Sequence, residues 1–295
     1  MWERGLRAIA IVLALALGAL GAQCFRAHSN VTYLTSDVVT KIYPKLKPGT
    51  YIKYIYVDDY KNALGNYTGW LPAVVVKINE KQVGECERFG KLLEGCDGSK
   101  YCLYPAPQAP LYVYAGNYTE LLLKLNVTGG LGDPRAGVWI VELLDPLCPY
   151  CALFYRSGGA KIIEEMVKEG KAYLIPIVVA FHTNAPGFEE SLRLAYQQNE
   201  LRKRGAAEEF FNLEHKIAEN FENLYKNQIK LSNVTAGERE LREANQKALE
   251  LAQRLFPYVA TPGNVFVNRT SGEAVASLGA LSERGVKIIL ELLKR

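Results

Sequence analysis

Histidine is scarce in this chain: His28, His182 and His215 are the only three in 295 residues. One Cys-X-X-Cys stands at Cys148–Cys151 and no second one accompanies it. The four N and S ligands that a zinc ion takes are therefore not spelled out in the sequence, and no metal is expected. Charge of one sign is also lacking. Lysine and arginine number 35 against 31 acidic residues, a formal net charge of +4, with no long basic run. That balance argues against a nucleic-acid partner. No repeat of fixed period is present, which excludes solenoid and propeller architectures. The uncharged apolar run Ala8–Ala22 is fifteen residues long, short of the ~20 that cross a bilayer as a helix.

What remains is a foldable chain with marks of export. Hydrophobic residues make up 49% and charged residues 22%, enough for a real core in one large or two ordinary domains. Arg4 and Arg7 precede the apolar run, and the small residues Gly18, Ala19, Gly21 and Ala22 end it. Residues 1–23 therefore read as a signal peptide, with an uncleaved membrane anchor as the alternative. Cys24 follows at once, but Gly21-Ala22-Gln23 makes a poor lipobox. Asn-X-Thr occurs at Asn30, Asn66, Asn117, Asn126, Asn233 and Asn268. Chance would give roughly one such sequon, and six fit a glycosylated, extracytoplasmic protein. Disulfides persist in that setting.

The chain changes character near its middle. Residues 24–133 are strand-rich, with candidates at Thr50–Val57, Pro72–Ile78 and Pro110–Gly116, while Glu120–Val127 fits a strand or a short helix. The breaker-rich Gly129–Gly137 marks a boundary. Beyond it, from residue 134, come a buried strand at Val138–Leu144, a helix at Ile162–Gly170 and a strand at Ala172–Phe181. Pro176 in that strand implies an edge or a bulge. A helical stretch at 188–256, broken near Leu231–Thr235, leads to a strand at Asn264–Asn268 and a last helix at Leu281–Lys294. The order is that of an α/β fold.

The segment Asp145-Pro-Leu-Cys-Pro-Tyr-Cys lies between a strand and a helix. At a helix N-terminus, free N–H groups and the helix dipole stabilise a thiolate at Cys148. Pro149 suits the first turn because it has no N–H to lose. Cys151 lies three residues on, on the same face and within bridging reach. Structural bridges rarely close so short a loop, so the pair reads as redox-active, exchanging through mixed disulfides. Cys148 is expected to be the exposed attacking thiol and Cys151 the buried resolving one.

From Val138 onward the chain resembles the thioredoxin superfamily, and most of all the exported thiol–disulfide oxidoreductases of the DsbA/DsbG type. Three features carry the likeness: Asp145–Cys151, the helical stretch before the last strands, and Ala260–Asn268. The resemblance implies a thioredoxin-like fold with a helical insertion. It makes Pro262 a cis-proline beside the cysteines, preceded by Thr261, a residue more typical of the isomerase-like branch. It also makes Glu142, six residues before Cys148, a buried carboxylate that relays a proton for Cys151. Tyr150 departs from the histidine that DsbA-type oxidants place there. It adds no positive charge, so a more moderate redox couple is expected.

The activity implied is formation or isomerisation of disulfides in client proteins, without a cofactor. The alternatives are a thiol reductant, for example in cytochrome maturation, and a redox-inactive glycosylated binding protein. The family leaves room for a membrane redox partner and for a homodimer, with residues 24–133 serving dimerisation or substrate capture. Cys24, Cys86, Cys96 and Cys102 read as structural disulfides, the last three in a loop-like segment at Gly84–Cys102.

Overall fold

The computed structural model describes residues 31–35, 53–56, 68–71, 73–89, 91–94, 98–105, 111–127 and 129–294. The expected signal segment, Cys24, Cys96, Asn30 and Asn66 lie outside the described residues. The chain divides into two compact units, Met1–Gly116 and Asn117–Arg295.

The first unit contains β1 (Val31–Thr35), β2 (Lys53–Tyr56), β3 (Gly69–Leu71), β4 (Ala73–Ile78), α1 (Val83–Phe89), β5 (Lys91–Glu94), β6 (Lys100–Pro105) and β7 (Tyr112–Ala115). Five strands form one sheet in the order β2-β1-β4-β6-β5, and β3 pairs with β7. The segment at Gly84–Cys102 is not the loop expected from its cysteines. It is α1 followed by the antiparallel pair β5–β6. Cys86 on α1 is bonded to Cys102 on β6, with α-carbons 5.7 Å apart. Both are fully buried with Ile78, and Val83 and Leu92 pack around them. The bond joins helix to sheet.

The second unit opens with α2 (Tyr118–Lys124), which decides the ambiguous stretch in favour of helix. Asn117 caps it by accepting from the Glu120 N–H at 3.0 Å. The strands are β8 (Leu131–Gly132), β9 (Val138–Leu144), β10 (Ala172–Val178), β11 (Gly263–Asn268) and β12 (Ala274–Leu278). Their order is β12-β11-β9-β10-β8. Only β9 and β10 run parallel. The crossover between them carries α3 (Pro149–Arg156) and α4 (Gly159–Lys168). The left-handed Gly158, φ 82°, separates these helices. At Gly159 a β-carbon would collide with the Leu281 carbonyl.

The insertion after β10 is α5 (Phe188–Arg204), α6 (Ala207–Glu219), α7 (Phe221–Tyr225) and α8 (Glu238–Leu255). The break between α7 and α8 is wider than its sequence signal, and α9 (Glu283–Leu292) closes the unit. Together these elements form a thioredoxin-like fold with a helical insertion, preceded by a strand-bearing region. Among the described residues no helix is long and apolar enough to cross a membrane.

Central β9 is apolar without alternation, because both of its faces are covered. Ile140, Val141, Leu143 and Leu144 are all buried. Pro176 sits at an edge. β8 pairs with β10 only at Tyr173 and Leu174, so β10 has no strand neighbour on that side at Pro176. The Val178 N–H turns outward to Asn199, and backbone direction repeats every second residue, so the N–H missing at Pro176 would also have faced outward.

Side-chain amides from the insertion complete this bare edge. Asn199 on α5 accepts from Val178 N–H at 3.3 Å and donates to Val178 C=O at 2.7 Å. Asn245 on α8 accepts from Ala180 N–H at 2.8 Å and donates to Ala180 C=O at 3.2 Å. Each amide stands in for one residue of a missing strand. Asn245→Ala should leave both Ala180 backbone groups unpaired, at a cost of about 1–3 kcal/mol. Urea unfolding of the reduced chain measures it. A loss below about 0.5 kcal/mol would mean that water replaces the amide.

Candidate active site

Strand β9 ends at Leu144, and a tight turn carries the chain to Cys148. The Cys148 N–H donates to the Asp145 carbonyl at 3.0 Å, and the Leu147 N–H to Asp145 Oδ1 at 2.8 Å. Cys148 is the N-cap of α3, with φ −81° and ψ 119°, and Pro149 is its first helical residue. No side chain caps the helix; the Cys151 N–H donates to the Cys148 carbonyl at 3.0 Å, and the Tyr150 and Cys151 N–H groups also act on the sulfur.

The two thiols are driven in opposite directions. Cys148 is lowered to about 6, first by a hydrogen bond from the Cys151 thiol. A hydrogen bond from the Thr261 side chain and backbone N–H groups of Cys151 and Tyr150 add to this, while burial opposes it. Cys151 is pushed well above its ordinary value, chiefly by burial and then by donating to Cys148. Exposure does not separate them as expected. Cys148 is 4% exposed and Cys151 6%. The distinction comes from position at the helix end, because only the N-cap sulfur receives the first-turn N–H groups.

Thr261–Pro262 is a cis peptide, and the loop bearing it meets the site directly. Cys148 Sγ lies 3.2 Å from the Thr261 carbonyl, which accepts from the thiol when it is protonated. Pro262 is buried and Thr261 half-buried. Tyr150, 61% exposed, and Leu153, 48% exposed, present apolar surface on α3.

Glu142 on β9 is buried, 1% exposed. Desolvation raises its carboxyl to about 8, and the charge of Glu214 adds to the effect. Glu214 on α6 is also buried and also raised to about 8 by desolvation. It accepts from Gln198 Nε2 and from the Tyr155 hydroxyl. The Tyr155 hydroxyl feels Glu142, Glu214 and Cys151 together, so the cluster extends to the Cys151 thiol. Nothing in the sequence singled out Glu214, Tyr155, Gln198 or Asp145. Glu214 sits in a helix rich in acidic residues, where a carboxylate normally means a solvated face. Among the described residues, no group of three or more His, Cys, Asp or Glu is placed to hold a metal ion.

Residues 126–262 match the family model described as Thioredoxin. Similar solved structures include alpha-DsbA1 of Wolbachia pipientis, 20% identical, covering 60% of this chain and 94% of that one with a TM-score of 0.45. Another is DsbA2 of Pseudomonas aeruginosa, 16% identical, covering 56% and 93% with a TM-score of 0.40. A third is the catalytic domain of ScsC of Proteus mirabilis, 18% identical, covering 60% and 99% with a TM-score of 0.40. No curated protein matches the sequence significantly.

The buried carboxyls set a pH dependence. Glu142 titrates at 4.5 when hydrated and at about 8 when folded. Within that window the folded chain binds more protons than the unfolded one, so stability falls as pH rises through it. Glu142→Gln keeps the shape and removes the titration. Urea unfolding at about pH 5 and about pH 8 should show a shallower loss for the variant than for the wild type. Equal losses would mean that the carboxyl is hydrated in the folded protein.

Proposed function

We propose that this chain is an exported thiol–disulfide oxidoreductase acting on other proteins through Cys148 and Cys151. The observation that carries the reading is the opposite displacement of the two thiols at an uncapped helix N-terminus, beside a cis-proline loop. A lowered thiol is both a ready nucleophile near neutral pH and a good leaving group. A raised, buried one is a resolving thiol kept from premature attack.

In the oxidising direction, a client thiolate attacks Cys148 Sγ of the Cys148–Cys151 disulfide. A client–Cys148 disulfide forms, and Cys151 leaves with the electron pair of the broken S–S bond. Its sulfur takes up a proton, and we assign Glu142, whose carboxyl burial raises to about 8, as the group that relays it. A second client thiolate then attacks the client sulfur of the mixed disulfide and releases the Cys148 thiolate. Two electrons pass from the client dithiol to the enzyme pair, and the client is left with a disulfide. The same steps reversed reduce a client disulfide. Isomerisation begins from the reduced pair, by attack of Cys148 on a wrong client bond. Thr261 lies where an extended client segment would pair with backbone, and Tyr150 and Leu153 offer apolar contact. A partner protein of matching potential restores the working form.

An extracytoplasmic location is supported by the apolar run at Ala8–Ala22, by the sequons and by the Cys86–Cys102 bond. Among the described sequon asparagines, Asn126 and Asn233 are exposed. Asn117 caps α2, and Asn268 holds the Thr270 and Ser271 N–H groups and donates to the Leu293 carbonyl. Glycans are therefore expected on the exposed pair first.

Cys151→Ser should accumulate disulfide-linked client complexes, visible on non-reducing gels, because the resolving attack is blocked. Cys148→Ser should accumulate few. Equal trapping by the two variants would reverse the assignment of roles. Trapping by neither would favour a redox-inactive binding protein.

A further inference from the structure

We propose that His182 supplies the positive charge that supports the Cys148 thiolate, and that Asp145 is the positioning residue that holds His182 there. This rests on the thiol–disulfide reading above and deepens it. Tyr150, between the cysteines, carries no charge, so any cationic support must come from elsewhere in the fold.

The parallel strands provide it. In β9 and β10, Leu144 stands opposite Val178, and the Val179 N–H donates to the Leu144 carbonyl at 2.9 Å. The two segments therefore leave the sheet side by side. One passes through Asp145 to Cys148, and the other through Ala180 to His182. Asp145 joins them. Its side chain has no exposure, and its Oδ2 lies 2.7 Å from His182 Nδ1. The same oxygen accepts from the Phe181 N–H at 3.0 Å. Oδ1 accepts from the Leu147 N–H at 2.8 Å and from the Ser191 hydroxyl at 3.4 Å. Four donors from three segments fix this carboxylate, and His182 Nδ1–H is committed to it. Protonation of the ring then occurs at Nε2.

The imidazole is 35% exposed, so it can exchange protons with water. Asp145 raises its pKa through the hydrogen bond, burial opposes, and the charges of Asp145 and Cys148 raise it further. The effect of Cys148 on the ring is reciprocal: an imidazolium favoured by the thiolate favours that thiolate equally. The titratable groups acting on His182 are Asp145 and Cys148. Asp145 and Cys148 also act on Cys151, and there the negative charge of each raises the thiol. One carboxylate thus supports the attacking sulfur through the histidine and opposes ionisation of the resolving sulfur directly.

The support is present below the raised pKa of His182 and is lost as pH rises through it. The step itself is a proton loss: the Cys148 Sγ–H gives its proton to water, the sulfur keeps the bonding pair, and His182 stays protonated. A thiolate stabilised in the reduced form makes the disulfide more oxidising.

The test follows thiolate absorbance against pH in the reduced full chain for the wild type, His182→Gln and His182→Lys. Gln retains a donor for Asp145 without the charge, whereas Lys retains the charge. The Gln variant should titrate about one unit higher, a tenfold loss of thiolate stability. Its disulfide should be less oxidising by the equivalent, about 30 mV. The Lys variant should stay near the wild type. A Gln curve superimposed on the wild type overturns the proposal, as does a Lys curve that moves with Gln. The readout needs no client. Absence of client exchange alongside a His182-dependent curve would sink the oxidoreductase reading and leave the charge assignment standing.

Discussion

An α-helix begins with backbone N–H groups that have no acceptor within the helix, and something must meet them. In most helices a Ser, Thr, Asp or Asn side chain does so. At α3 that position is held by Cys148, and no side chain completes the cap. A thiol is a poor acceptor and a thiolate is a good one, so the uncapped end favours ionisation. Pro149 removes one N–H that would otherwise need a partner. The parallel pair β9–β10 exists to hold this arrangement. Its crossover places α3 so that its first turn starts at the C-terminal end of β9, and the Thr261–Pro262 loop reaches the same point from the neighbouring strand β11.

The same burial that makes Cys151 a reluctant thiolate acts on the carboxyls behind it. Glu142 and Glu214 occupy different elements, a central strand and an insertion helix, yet each is raised to about 8. Two carboxyls in one low-dielectric region disfavour each other's charge. A proton is therefore retained among Glu142, Glu214 and Tyr155 at neutral pH. In the proposed exchange a leaving thiolate at Cys151 needs a proton, and an ordinary exposed glutamate would have none to give. The raised carboxyl is costly to bury and chemically apt for the same reason.

Legibility in the sequence followed locality. Val138–Leu144 reads as a strand because seven apolar or buried positions run together, and the redox motif reads because all its parts lie within four residues. Glu142 stood out as a charge inside an apolar run. Pro176 correctly implied an edge. Gly84–Cys102 reads as a loop in sequence because cysteine, glycine and lysine outweigh the short apolar periods of α1 and β5, which the structure forms there. Glu214 and His182 were unreadable as site residues. Each reaches its partners only through a tertiary approach, Glu214 across the insertion and His182 across two strand ends. Their local neighbours are those of any solvated helix or polar loop.

Neighbouring residues of the helical insertion meet different parts of the domain. On α5, Gln198 donates to Glu214 while the adjacent Asn199 completes the β10 edge. One turn and more toward the N-terminus, Ser191 reaches Asp145. Ser191 and Gln198, seven residues apart, lie on one face of the helix, and Asn199 is turned about 100° from Gln198. Through these three side chains α5 meets Asp145, Glu214 and the edge of β10. A shift of α5 along its axis would therefore disturb all three at once. The edge amides fix α5 and α8 to backbone atoms of β10 and the residues after it, and so hold Ser191 and Gln198 against Asp145 and Glu214.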